Sequence, residues 1–149
     1  MSRNARRRLA LGCALLSLAL VARGQGGDGP AEAVARNGDG GNPDLYVPVT
    51  KPVLGRLWNS RIALAGTGFD VSAVAISLGG PTSGIQLNMG ELLCLPPFLP
   101  VNFGLGSHTI PIPADLGLVG ATFSTQGALL RRDGAIKLVN AIDLTIGST

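Results

Sequence analysis

Few side chains in these 149 residues have the chemistry to act on a substrate, and their spacing narrows the choice. His108, the single histidine, lies between Ser107 and Thr109. Acyl transfer through a serine needs such a histidine as base and a third group to orient it. Asp115 and Asp143 could be recruited to that role only by the fold, and no Gly-x-Ser-x-Gly elbow accompanies them. The expectation is a histidine at a strand edge, its ring capping a turn. Glycoside hydrolysis needs two carboxylates held roughly 5 to 10 Å apart. The acids Asp70, Glu91, Asp115, Asp133 and Asp143 fall mostly at expected turns, where an aspartate bonds its own backbone. One His and one Cys beyond residue 24 cannot fill a zinc site of three or four protein ligands. Gly66-Thr67-Gly68 has neither the lysine nor the helix of a phosphate loop. No catalytic residue, cofactor or metal is expected, and the reading is that of a protein that is not an enzyme.

Residues suited to ligand contact are equally few: Trp58, Tyr46 and His108. A sugar platform would use the flat faces of Trp58 and Tyr46. A tryptophan near the start of a domain more often anchors the core, given its large apolar area. The run Asn37-Gly38-Asp39-Gly40-Gly41-Asn42-Pro43-Asp44 alternates Asp and Asn in the manner of a calcium loop. Aligning Asn37 and Asp39 with the third and fifth ligands puts Ala35 at the first position and Tyr46 at the closing one, so a plain turn is expected.

The elements that must position these residues begin with an export signal. Arg3, Arg6, Arg7 and Arg8 are followed by the uncharged run Leu9 to Ala22 and small residues at Ala22 and Gly24, the three parts of a secretory leader over residues 1–24. That run of 14 residues falls short of the roughly 20 needed to span a bilayer, so no integral span is expected after cleavage at Ala22 or Gly24. The formal charge of +3 mostly reports this leader. Cleavage after Gly24 removes five of the 12 Lys and Arg and none of the 9 acids, which leaves a net charge of −2. The remaining cations are scattered, so nucleic acid is not an expected partner. Cys13 lies in the leader, and Cys94 alone cannot make an internal disulfide. Its apolar setting from Leu92 to Leu95, with Glu91 the nearest charge, predicts a buried, unreactive thiol.

Residues 25–51 are Gly-rich to Asn42 and poor in apolar side chains, which predicts a flexible linker, transiently helical at most over Pro30 to Arg36. Residues 52–149 form one domain of short apolar runs of period two. Ile62 and Leu64 share a face. So do Val74, Ile76 and Leu78, opposite Ala73, Ala75 and Ser77. The pattern returns at Ile110 and Ile112, at Ala121 and Phe123, at Ile136 and Leu138, and at Ile142, Leu144 and Ile146. An all-β antiparallel sandwich follows, jelly-roll-like or Ig-like. Asp133-Gly134 predicts a tight hairpin, Gly79 to Gly84 a link between strands, and Pro96 to Pro100 a crossover between sheets. Pro113 to Leu116 is expected to form one helical turn. Gln126 and Asn140, amides in apolar strands, are expected to satisfy backbone groups at a turn or crossover.

From Ser107-His108-Thr109-Ile110-Pro111-Ile112-Pro113-Ala114-Asp115 through Leu118-Val119-Gly120 and Phe123-Ser124-Thr125-Gln126 to Leu138-Val139-Asn140-Ala141 and Ile146-Gly147, the chain resembles a β-rich domain of exported proteins from planctomycete-like bacteria. The resemblance spans roughly Leu54 to Gly147, with Val139 where that domain usually has Ser. It implies export and a β fold, and it brings no functional residues with it.

The function expected is that of a non-catalytic secreted or cell-envelope module, structural, adhesive or interacting. Its partner would be an extracellular or envelope protein, meeting the flat small-residue face of Ala73, Ala75 and Ser77. The alternative is a carbohydrate-binding module with a glycan as partner.

Overall fold

The computed structural model describes residues 28–99 and 101–149, so the expected leader lies outside the described residues. Within them the chain forms ten strands: β1 Glu32–Arg36, β2 Tyr46–Pro48, β3 Leu57–Ile62, β4 Val71–Ser77, β5 Pro81–Leu87, β6 Gly90–Cys94, β7 Asn102–Gly104, β8 Ser107–Pro111, β9 Thr122–Leu130 and β10 Ile136–Thr145. A large antiparallel sheet runs β1-β10-β9-β4-β7, a smaller one runs β2-β3-β8, and β5-β6 form a separate hairpin. The all-β, antiparallel expectation holds. Among the described residues no helix is long and apolar enough to cross a membrane.

Period-two patterning builds the core. On β3 and β8, Trp58, Ser60, Ile62, His108 and Ile110 are buried while their neighbours face out or lie at the margin. They meet Val74, Leu129, Val139, Ile142 and Leu144 from the large sheet across one apolar cluster, which Tyr46 of β2 completes. Strand β10 departs from alternation: Leu138 to Ile142 are all buried. Both its faces are covered, one by the core and the other by the β5-β6 hairpin, where Leu93 and Cys94 pack on Ala141. A register shift between Leu138 and Ala141 marks a bulge at the same place.

The expected linker over 25–51 is corrected by the fold. Strand β1 pairs with β10 from Glu32 opposite Thr145 to Arg36 opposite Ala141, and β2 pairs with β3. Composition misled because β1 is held by its backbone ladder and by Arg36, not by apolar burial. The Arg36 guanidinium donates to Asp143 at 2.7 Å, to the Leu93 carbonyl at 2.7 Å and to the Thr82 carbonyl at 2.8 Å. The transient helix expected over Pro30 to Arg36 is therefore extended strand.

Local signals were displaced rather than lost. The helical turn is a 3-10 turn at Leu116–Leu118, capped by Asp115, whose carboxylate accepts from Gly117 N–H at 2.9 Å. At the β9-β10 hairpin only Gly134 has positive φ, at 87°. Its N–H donates to the Arg131 carbonyl and Arg131 N–H to the Ala135 carbonyl, so a three-residue loop, Arg132 to Gly134, replaces the two-residue one expected from Asp133-Gly134. Strand β5 begins at Pro81, inside the link expected from Gly79 to Gly84. Pro96 to Leu99 do carry the chain from the β5-β6 hairpin to the large sheet, with Leu99 N–H donating to the Ile76 carbonyl. The two ends of the described chain also meet: Ala31 N–H donates to the Thr149 carbonyl at 2.9 Å and Ser148 N–H to the Gly29 carbonyl at 3.0 Å.

Candidate functional site

The ligand contacts expected at Trp58, Tyr46 and His108 are corrected by burial. Trp58 and Tyr46 are wholly enclosed in the core, and His108 is 2% exposed. Alternation along β3 and β8 turns Trp58 and His108 inward, and the pairing of Tyr46 opposite Ile62 does the same for β2. The Tyr46 hydroxyl lies 3.1 Å from Thr125 Oγ1, and burial pushes its pKa up to about 12. The Trp58 indole N–H is buried without an acceptor.

His108 has partners that its sequence neighbours did not reveal. Its Nε2 is 2.8 Å from Ser72 Oγ on β4, and its Nδ1 is 3.0 Å from Asn102 Oδ1 on β7. Asn102 uses its amide nitrogen to donate to the Thr109 carbonyl at 3.3 Å, so its oxygen accepts from Nδ1–H, and the single Ser72 O–H is shared between Nε2 and the Gly104 carbonyl at 3.1 Å. This is the order of a serine nucleophile, a base and an orienting group. Ser72, however, is fully buried, and its Oγ already accepts from Gly106 N–H at 2.9 Å. Ser72 lines neither of the two surface hollows described below. The trio ties β8 of the small sheet to β4 and β7 of the large sheet, and burial lowers the His108 pKa below its ordinary value.

Amides join the hairpin and the small sheet to the bulge of β10. Asn140 Oδ1 accepts from the N–H groups of Leu45 at 3.0 Å and Tyr46 at 2.8 Å, while its Nδ2 donates to the Tyr46 carbonyl at 2.7 Å. Gln126 Oε1 accepts from Leu93 N–H, and its Nε2 donates to the carbonyls of Glu91 and Val139. The backbone role expected of Gln126 and Asn140 is what the structure shows. Asn42 plays the same part and was not foreseen: its amide exchanges two bonds, at 2.7 and 2.8 Å, with the backbone of Glu91.

Cys94 is buried, and its thiol is pushed up to about 11 by burial, which outweighs the neighbouring Arg36. Among the described residues no three His, Cys, Asp or Glu side chains converge as a metal cluster.

Two surface hollows remain. The outer face of the large sheet carries a groove of about 260 Å³ whose floor is Ala73, Ala75 and Ala128 and whose walls include Phe98, Phe103 and Ile136. Phe103 is 64% exposed and Ile136 45%. The floor is the small-residue face read from the sequence, except that Ser77 is buried and bonds the Leu95 carbonyl. The aromatic walls were missed because Phe98 comes from the irregular segment after β6 and Phe103 from the three-residue β7, too short for a period of two to mark a face. The second hollow, about 540 Å³, lies over β3 and β8 and has a mixed lining, with Asn59, Arg61, Ser107 and Thr109 beside Val49, Leu64 and Leu105 and with His108 among them.

The chain matches no family model, no curated protein and no solved structure. Any functional reading therefore rests on these surfaces and on the buried polar contacts.

Proposed function

We propose that this chain is a non-catalytic β-sandwich module, exported to the envelope or beyond, that holds a partner protein through the apolar groove on its five-stranded sheet. One observation carries the reading: aromatic and aliphatic side chains remain exposed around a floor of alanines. Contiguous exposed apolar surface of this kind is where soluble proteins bind one another. Small floor residues let a partner side chain approach the sheet closely, while Phe103 and Phe98 supply the rigid contact area typical of interface anchors. Export is supported by the basic and apolar start of the sequence.

The test is fractionation of cells producing the tagged protein, alongside a Phe103→Asp variant. The wild-type chain is expected to co-sediment with envelope material and the variant to be released, with unchanged circular dichroism. Equal retention of both proteins would overturn the groove as the binding surface. The glycan alternative draws no support from Trp58 and Tyr46, which are buried, and keeps only the hollow of mixed lining around Arg61 and Asn59.

A further inference from the structure

Glu91 is the one carboxylate enclosed by the described fold, 1% exposed, and its Oε2 has no hydrogen-bond partner. Its side chain lies beneath the turn from Asn37 to Asp44. A Cβ added at Gly38 would sit 2.8 Å from Oε1, and one at Gly41 would sit 3.4 Å from Oε2. Gly84 approaches from the other side so closely that a side chain there would overlap the carboxylate. Asp39 N–H reaches Oε1 at only 3.5 Å, a weak bond. Among the described residues no Lys or Arg forms an ion pair with Glu91; Arg36, the cation nearest in sequence to the turn, is committed to Asp143, Leu93 and Thr82.

A second orphan belongs to the same turn. Asn37 Oδ1 is buried without a partner, although its amide nitrogen is fully used, donating to the Asn42 carbonyl at 2.7 Å and to Asp44 Oδ1 at 2.8 Å. Those donor bonds fix the orientation of the amide, so the bare atom is an oxygen. A buried carboxylate without a cation and a buried amide oxygen without a donor are costly as they stand, because each has given up water for nothing. An oxygen-seeking cation resolves both.

We propose that the Asn37–Asp44 turn and Glu91 form a divalent cation site, with calcium its occupant. Calcium takes six to eight oxygens and accepts carboxylate, amide, main-chain carbonyl and water together, so it does not need three converging acids. Glu91 Oε2 and Asn37 Oδ1 are the side-chain ligands, glycine-turn carbonyls and water complete the shell, and the exposed Asp39 and Asp44 add negative charge at the lip. The geometry is not that of a helix-flanked calcium loop. The carboxylate is supplied by β6, distant in sequence, rather than by the end of the loop. Magnesium, which demands a tight octahedron and sheds water reluctantly, suits such a mixed shell poorly. The cation would clamp the turn to the β5-β6 hairpin, whose Leu92 lines the apolar groove. The inference does not depend on the groove binding a partner.

The experiment is calorimetric titration of the purified, chelator-treated protein with calcium chloride, together with thermal melts in calcium, magnesium or chelator. One calcium per chain, bound at up to millimolar concentration, and a rise in Tm that magnesium does not reproduce are expected. Glu91→Gln, which keeps the shape of the side chain, should abolish both while melting normally in chelator. Asn37→Ala serves as the second variant should Glu91→Gln fail to fold. The proposal is overturned by the absence of calcium heat and Tm shift in the wild-type chain, or by shifts that survive in the variants.

Discussion

At the scale of single residues, the fold depends on polar side chains that replace missing backbone partners. Asn42, Gln126 and Asn140 each both donate to and accept from main-chain groups around the β10 bulge. Each bond gives a buried backbone group a partner, and a bare one costs about 1 to 3 kcal/mol. Two of the three were legible, because an amide inside an apolar strand has few other uses. Asn42 was hidden by its glycine-rich neighbours, which made it look like an ordinary turn residue. His108 shows the opposite limit: its partners Ser72 and Asn102 lie on other strands, and nothing local to Ser107 or Thr109 names them. Its depressed pKa has a consequence for stability. The unfolded chain takes up a proton near the ordinary value of 6.5, while the folded chain resists until lower pH. Stability contributed by neutral His108 is thus present above pH 6.5 and declines as pH falls toward the folded pKa. Urea midpoints measured from pH 7.5 down to about 5.5 should fall, and His108→Gln should flatten that part of the profile. A wild-type midpoint that rises on acidification would contradict the neutral, buried assignment.

At the scale of elements, the strands with clear alternation were readable and those held by edges were not. Val71–Ser77 and the ends of Thr122–Leu130 and Ile136–Thr145 declared themselves through period-two side chains, although burial along β10 is continuous from Leu138 to Ile142. Glu32–Arg36 has no such pattern, because an edge strand needs a backbone ladder and one well-placed arginine more than an apolar face. Tyr46–Pro48 is only three residues long, yet it delivers Tyr46 to the centre of the core. A fragment of residues 52–149, the domain expected from composition, would therefore lose an edge strand, the Arg36–Asp143 pair and a buried aromatic whose removal alone costs about 3 to 5 kcal/mol. That loss is comparable to the whole stability of a small domain, about 5 to 15 kcal/mol. The fragment should show no cooperative melt, whereas residues 28–149 should show one. A sharp transition in the shorter fragment would return residues 28–51 to the status of a tether.

At the scale of the whole molecule, three layers stack: the small sheet, the large sheet, and the β5-β6 hairpin on part of the outer face. The antiparallel β character of the first two follows from alternating residues, whereas their strands β1, β2 and β7 do not. The third does not, since the hairpin is fixed through Gln126, Asn42 and Arg36 rather than through a large apolar face. Cys94 reports on that layer. In a chain without residues 1–24 it is the single thiol, it is buried between β6 and β10, and its pKa of about 11 keeps it protonated at pH 8. A disulfide-exchange reagent at pH 8 should label it only as fast as the protein unfolds. Immediate labelling of the native chain would mean that the hairpin lifts away on its own.

The adjoining ends of the described chain carry a last consequence. Because Gly29 and Ala31 run beside Ser148 and Thr149, the polypeptide path enters and leaves through a single doorway. Such a body can be spliced into a surface loop of a host protein with short connections and little strain on either partner. It also means that cargo joined directly ahead of residue 28 would stand next to cargo joined after residue 149.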